Sequence, residues 1–400
     1  MSQPLATIRV LDLSNVLAGP FCAYQLAVMG AEVIKIETPG AGDLARKLGA
    51  DPEAAARLMG ISFLAVNAGK QSVTLNLKHP EAKRVFLKMV EQSDVVVENF
   101  RPGVMRRLGL DYDALKAVNP GIVYCAISGF GQDGPWSDRP AYDQIIQGLS
   151  GLMSVTGDQD TAPLRAGFPV CDTIGGMAAA FGIAAALVEK QRTGEGRMID
   201  VSMLEATLAS MGWVVSNYLA TGKAPTPMGN ENFTAAPSGT FRTGKGLLNI
   251  AANEQKQFEA LCDLVGKPEL KSDPRFAPRE SRKKHRFELK ALVEEGLAAR
   301  SAAEWEALMT EKGVPAGQVL SVPEILDHPQ VGGRGFIREF NDVPGLDGAA
   351  RVPRGPYRMS SGTAEPGTPP PRLGEHTDTW LGKLGYAETD IRSLRDEGAI

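Results

Sequence analysis

From the N-terminus to Ile127 the chain alternates between two hydrophobic periods. Short runs rich in β-branched residues, Ile8–Leu13, Ala31–Ile36, Ser72–Leu77, Asp94–Val97 and Ile122–Ile127, are bounded by turn residues and predict strands. Between several of them the period becomes helical, as in Pro80–Val90, with Val85, Phe86, Met89 and Val90 on one face. Strand–helix–strand alternation predicts an α/β fold: a largely parallel sheet with helices packed on it. Ligands of such sheets bind at the carboxyl ends of the strands.

Beyond this region the pattern predicts a helix over 173–190, a short strand Met198–Val201 and a second helical stretch, Leu204–Leu219. The apolar run Ile174–Val188, mostly Ala and Gly, is shorter than the roughly 20 residues of a membrane span and reads as a buried helix. Thr221–Asn230 is rich in breakers and reads as a linker. After it, Thr240–Arg242 and Leu247–Ala251 form a hairpin pattern across Thr243–Gly246, and charged helices run to about 312. These features divide the chain into a large domain over 1–222, a smaller α+β domain over 223–328, and a return to the large domain over 329–400. The last segment is Gly/Pro-rich, includes Pro369–Pro371, and closes on a short helix near 376–385.

Composition narrows the function classes. Lys plus Arg number 43 and Asp plus Glu 47, for a net charge of −4. That balance is not the footprint of a nucleic-acid binder. Apolar residues at 43% and charged residues at 22% are ordinary globular usage. The four cysteines and four histidines are dispersed, with no pair at metal-ligand spacing, so neither a disulfide framework nor a metal site is expected. The N-terminal stretch lacks the basic-then-apolar layout of a secretory signal, and no membrane partner is implied, so a cytoplasmic location is expected.

Generic motifs add little. Gly69-Lys70 lacks the remainder of a phosphate loop, and Gly239–Lys245 is followed by glycine where Ser or Thr is required. Gly129-Phe-Gly131 follows a strand, but no helix opens after it. Arg101, Arg106 and Arg107 cluster right after the strand ending Glu98-Asn-Phe100, where they either hold phosphate or form a solvated face. Asp172 also admits two readings. Beside Gly167-Phe-Pro169 and ahead of a small-residue helix, it suits an N-cap, whose side chain satisfies orphan backbone donors. The same position leaves room for a ligand carbonyl, and a carboxylate can act as a covalent nucleophile.

The residues also carry a resemblance. Val10–Leu13, Ala18-Gly-Pro20, Gly30–Glu37, Gly40-Ala-Gly-Asp43, Val97–Gly103, Arg107-Leu-Gly109, Ser128–Pro135, Asp172, Thr193–Gly196 and Leu373–Thr377, in this order and spacing, resemble the class III CoA-transferases of the CaiB/BaiF type. The resemblance spans nearly the whole chain. Within that group the closest likeness is to the succinyl-CoA:dicarboxylate enzymes of the glutarate and mesaconate type, on Gly151-Leu-Met153 and Val155-Thr-Gly157.

The resemblance implies a homodimer of two interlocked, ring-like chains. Each has a large domain, with a Rossmann-like sheet built from both ends of the chain, and an inserted smaller domain. It implies that Asp172 is the nucleophile of a CoA transfer that passes through an aspartyl anhydride and an aspartyl-CoA thioester. It places coenzyme A, as substrate rather than a bound cofactor, against Val16, Leu17, Ala18, Leu75, Asn76, Lys78, Asn99, Phe100, Arg101, Arg107 and Tyr142. The second substrate is a small carboxylic acid. Thr38 departs from the arginine some relatives use against adenine. Leu17, and a loop Asn232–Ser238 that is not glycine-rich, depart from the formyl-CoA/oxalate members. The same fold includes α-methylacyl-CoA racemases, whose histidine falls where this chain has Tyr142; tyrosine is a poor general base at neutral pH.

Overall fold

Six strands form one parallel sheet in the order β3-β2-β1-β4-β5-β6. They are β1 (Arg9–Asp12), β2 (Glu32–Glu37), β3 (Lys70–Thr74), β4 (Val95–Glu98), β5 (Val123–Ser128) and β6 (Met198–Ser202). The structure is a computed structural model that describes residues 3–360 and 364–400. Each strand lies within a residue or three of its place in the sequence pattern. Helices cover both faces, so the central strands are near-continuous apolar runs. Alternate residues build two cores. Leu11, Ile34, Val96 and Tyr124 pack with Phe86 and Trp380 on one face, and Val10, Val33, Val95 and Val123 pack with Cys22 and Ile183 on the other.

The chain forms two compact units. The first comprises Met1–Leu152, Arg165–Lys223 and Gly332–Ile400, and holds the six-stranded sheet. The second comprises Ala224–Val331 and also takes up Met153–Leu164, which the sequence pattern had left in the large domain. Its antiparallel sheet joins β7 (Ser238–Arg242), β8 (Leu247–Ala251) and β9 (Ala316–Gln318). The first two are the expected hairpin, and Phe241, Leu248 and Ile250 pack with Phe258, Leu289 and Trp305.

Three expectations need correction. All six strands of the large sheet come from Arg9–Ser202, not from both ends of the chain. The Gly/Pro-rich C-terminal segment cannot supply a central strand. It contributes instead the ribbon β10 (Ile337–Phe340) and β11 (Ala350–Pro353), and helices Thr377–Lys383 and Glu388–Asp396, the second of them unforeseen. That segment docks on the edge strand β3: Thr74 N donates to Thr377 Oγ1 at 3.0 Å and Trp380 Nε1 to Gln71 Oε1 at 2.6 Å. The stretch 204–219 is two helices, Met203–Ser210 and Gly212–Thr221, interrupted where Gly212 weakens the helix. The helix around Ile174 runs from Val170 to Thr193 and is buried on one side only; Phe181 is 78% exposed.

Candidate active site

The strand order reverses between β1 and β4, and there the loops after the two strands part to form a crevice. A pair of asparagines clamps its floor. Asn99 Oδ1 accepts the Asn15 N–H at 2.8 Å, and Asn99 Nδ2 donates to the Asn15 carbonyl at 2.8 Å. A cavity of about 200 Å³ opens above, lined by the loop Asn15–Ala18, by Asn99–Arg101, by Tyr142 and by Asp172. The residues Val16, Leu17, Ala18, Asn99, Phe100, Arg101, Tyr142 and Asp172 are thus brought together. Leu75, Asn76, Lys78 and Arg107 are not. Leu75 is in the core, and Asn76 Nδ2 donates to the Gly398 carbonyl at 3.2 Å. Lys78 and Arg107 are exposed on the same carboxyl-end rim of the sheet, outside the cavity.

Asp172 reaches the cavity because two helices approach closely. The first helix, Ala18–Val28, packs along the long helix Val170–Thr193. Gly176 permits this, since a Cβ there would stand 2.5 Å from the Ala18 carbonyl oxygen. Gly19 is equally constrained, its Cβ position lying 2.2 Å from Ser14 Cβ.

The N-cap reading of Asp172 is overturned. Pro169 holds that position, and Asp172 sits in the first helical turn without a side-chain capping bond. The cap comes from Asp143, to which the sequence pattern assigned no role. Asp143 Oδ1 accepts the N–H groups of Cys171 at 2.7 Å and Asp172 at 3.4 Å. Gln147, one turn along the helix Asp143–Leu149, donates to Asp143 Oδ2 at 2.6 Å and to the Phe168 carbonyl at 3.2 Å. It also accepts the Ala166 N–H at 2.8 Å. Asp143 and Gln147 therefore fix the whole approach to Asp172. Their i, i+4 spacing was the available signal.

The Asp172 carboxyl makes no capping bond and lines the cavity. Burial, with the negative charge of Asp143 in addition, pushes its pKa up to about 7. A carboxylate of that basicity is a stronger nucleophile than an ordinary aspartate, and a raised pKa in a cleft marks a candidate functional group.

Comparison with known proteins agrees with the geometry. The family model described as CoA-transferase family III matches residues 5–377. The chain belongs to this family. The acetyl-CoA:oxalate CoA-transferase of Acetobacter aceti is 41% identical over 89% of each chain. The succinate–glutarate CoA-transferase of Agrobacterium fabrum is 36% identical over 96% of each chain. A CaiB/BaiF family protein from Brucella suis superposes with a TM-score of 0.83 at 35% identity, covering 96% of this chain and 100% of that one. The protein is thus an enzyme, a family III CoA-transferase that moves CoA from an acyl-CoA to a carboxylic acid.

Proposed function

We propose that the enzyme moves CoA from succinyl-CoA to a small dicarboxylic acid by covalent catalysis at Asp172. The observation that carries this is the Asp172 carboxyl itself, uncommitted to capping and lining the switch-point cavity with its pKa raised. In the first step an Asp172 oxygen attacks the thioester carbonyl carbon. The C–S bond breaks, CoA leaves as thiolate, and a mixed anhydride remains. The thiolate then attacks the Asp172 carbonyl carbon, expelling succinate and leaving an aspartyl-CoA thioester. The acceptor carboxylate attacks that carbon and displaces the thiolate, which takes the acceptor acyl group from the second anhydride and restores the Asp172 carboxylate. One thioester is exchanged for another, so positioning supplies most of the rate.

Coenzyme A is far longer than the cavity. Its thioester end belongs against Val16, Leu17, Ala18, Phe100 and Tyr142. Arg101 stands at the cavity mouth, and the nucleotide end runs out to the rim, where Asn76, Lys78 and Arg107 would meet it; Leu75, buried in the core, drops out of the contact set. The succinyl donor follows the Agrobacterium relative, which is named for succinate and glutarate. The Acetobacter relative brings oxalate back among the acceptors, although Leu17 and the Asn232–Ser238 loop argue against it.

The active form is an interlocked homodimer. Support comes from large apolar side chains left exposed within the first unit: Phe181 and Val188 on the long helix, and Trp213 and Leu219 nearby in sequence. Light scattering at micromolar concentration should give the mass of a dimer, and a monodisperse monomer would contradict it. For the activity, enzyme and succinyl-CoA are mixed with glutarate, mesaconate, oxalate and other acids, and the acyl-CoA products are weighed. Without acceptor, the peptide containing Asp172 should gain acyl or CoA mass. An unmodified peptide beside active enzyme would remove the covalent mechanism.

A further inference from the structure

The loop between β1 and the first helix carries backbone strain that the transfer steps do not explain. Val16 has φ of +68°, a left-handed conformation unfavourable for a β-branched residue. Its N–H is donated to Asp43 Oδ1 at 2.9 Å, and the same oxygen accepts the Ala45 N–H at 2.9 Å. Asp43 Oδ2 pairs with Lys35 Nζ at 2.9 Å, and Lys35 donates onward to the Ser14 carbonyl at 2.7 Å. Asp12 accepts the Ser14 N–H at 3.0 Å, and Lys70 bridges Asp12 and the Pro20 carbonyl, both at 2.9 Å.

Asp12, Lys35, Asp43 and Lys70 are each at most 1% exposed. Four buried charges are a costly way to join three strands, because packed apolar side chains do so at least as well. What apolar groups cannot do is hold backbone N–H and carbonyl groups in a fixed shape. These charges grip the backbone of Ser14, Val16 and Pro20 in succession. The segment they fix presents Val16, Leu17 and Ala18 to the cavity lined by Asp172.

We propose that Asp43 is a positioning residue for CoA transfer, holding Val16 in its left-handed conformation and thereby shaping the wall of the Asp172 cavity. The inference rests on the Asp172 reading above. Its test compares Lys35→Met/Asp43→Asn with Lys35→Met/Asp43→Ala. Both delete the buried ion pair, and only the first retains an oxygen for the Val16 N–H. The Ala form should show kcat roughly tenfold to 100-fold below the Asn form, as expected for a misplaced reacting group, and should also melt somewhat lower, because the Ala45 N–H loses its acceptor as well. Adding Val16→Gly to the Ala form should recover most of that loss, because glycine takes positive φ freely. Equal kcat in the two forms, no recovery with Val16→Gly, or loss of the fold in both would overturn the proposal. Adduct formation on wild-type enzyme separates the two readings. No adduct at Asp172 removes the covalent mechanism, whereas an adduct together with equal kcat removes only the role of Asp43.

Discussion

Asp143 caps the helix that presents Asp172, although the two carboxyls stand on different helices. The Asp143 oxygen 2.7 Å from the Cys171 nitrogen both anchors the first turn and places a negative charge beside the candidate nucleophile. One residue therefore sets position and adds to the basicity that burial confers. Asp143→Asn removes the charge while its amide oxygen still accepts those N–H groups, although the hydrogen bond from Gln147 to Oδ2 is lost with it. With Asp172 as the proposed nucleophile, transfer needs its ionised form, so kcat/KM of the wild type should rise with pH through about 7. In Asp143→Asn this limb should move to lower pH. Burial is the larger cause and persists, so the limb should stay above the ordinary carboxylate range. An unmoved limb would show that the Asp143 charge does not govern Asp172.

Asp172→Asn should cost orders of magnitude in transfer rate while sparing the fold. Its effect on stability has a definite sign. A carboxyl whose pKa is raised on folding resists ionisation, so it penalises the folded state as pH climbs from the ordinary aspartate value of 3.8 towards about 7. Below that window the penalty vanishes. Asp172→Asn should consequently melt higher than wild type at pH 8, with the gap closing at acid pH. A lower melting temperature at pH 8 would mean that the carboxylate supports the fold.

The α/β class, the six strands and the small-domain hairpin were legible because they depend on local period and turn residues. Asp172 was singled out, yet its competing role as a cap was settled only by long-range geometry: the helix starts at Val170, and the capping oxygen arrives from Asp143, 28 or 29 positions earlier in the chain. Asn99 was assigned to the ligand through the resemblance, whereas both ends of its amide are occupied by Asn15, 84 residues away. The strand order, and the C-terminal docking on β3, likewise follow from packing that no local pattern encodes.

The asparagine clamp predicts a binding defect. Asn99→Ala removes two hydrogen bonds that join the loops after β1 and β4, together worth about 1–3 kcal/mol. The crevice should loosen, raising KM for the acyl-CoA more than KM for the acceptor. Steady-state kinetics varying each substrate will show it; equal change in both would place the clamp outside CoA recognition.

Gly176 tests the helix contact that brings Asp172 forward. A methyl group there would lie 2.5 Å from the Ala18 carbonyl oxygen and 3.1 Å from the Phe21 ring, so the helices must separate. Gly176→Ala should lower stability by roughly 1–3 kcal/mol despite the better helix propensity of alanine. Gly182→Ala, further along the same helix, meets only Ile199 side-chain atoms at 3.3 Å and beyond, and should cost less. Urea denaturation of both variants decides the matter, and equal stabilities would contradict the close approach.

Arg106 and Arg107 are neighbours on the short helix Val104–Leu108, and the structure separates them. Arg106 faces Asp111 at 3.4 Å, whereas among the described residues Arg107 has no ion-pair partner. An exposed guanidinium without a carboxylate is the better phosphate ligand, offering paired donors at permanent charge. Arg107→Ala should raise KM for the acyl-CoA by roughly tenfold to 100-fold, the range for a lost charge-assisted hydrogen bond. KM for the acceptor should stay unchanged, and the wild-type advantage should shrink as salt screens the contact. Arg106→Ala should do little, since its exposed pair contributes at most about 1 kcal/mol. If Arg106→Ala weakens acyl-CoA binding more than Arg107→Ala does, the phosphate lies on the other side of this helix and the rim assignment falls.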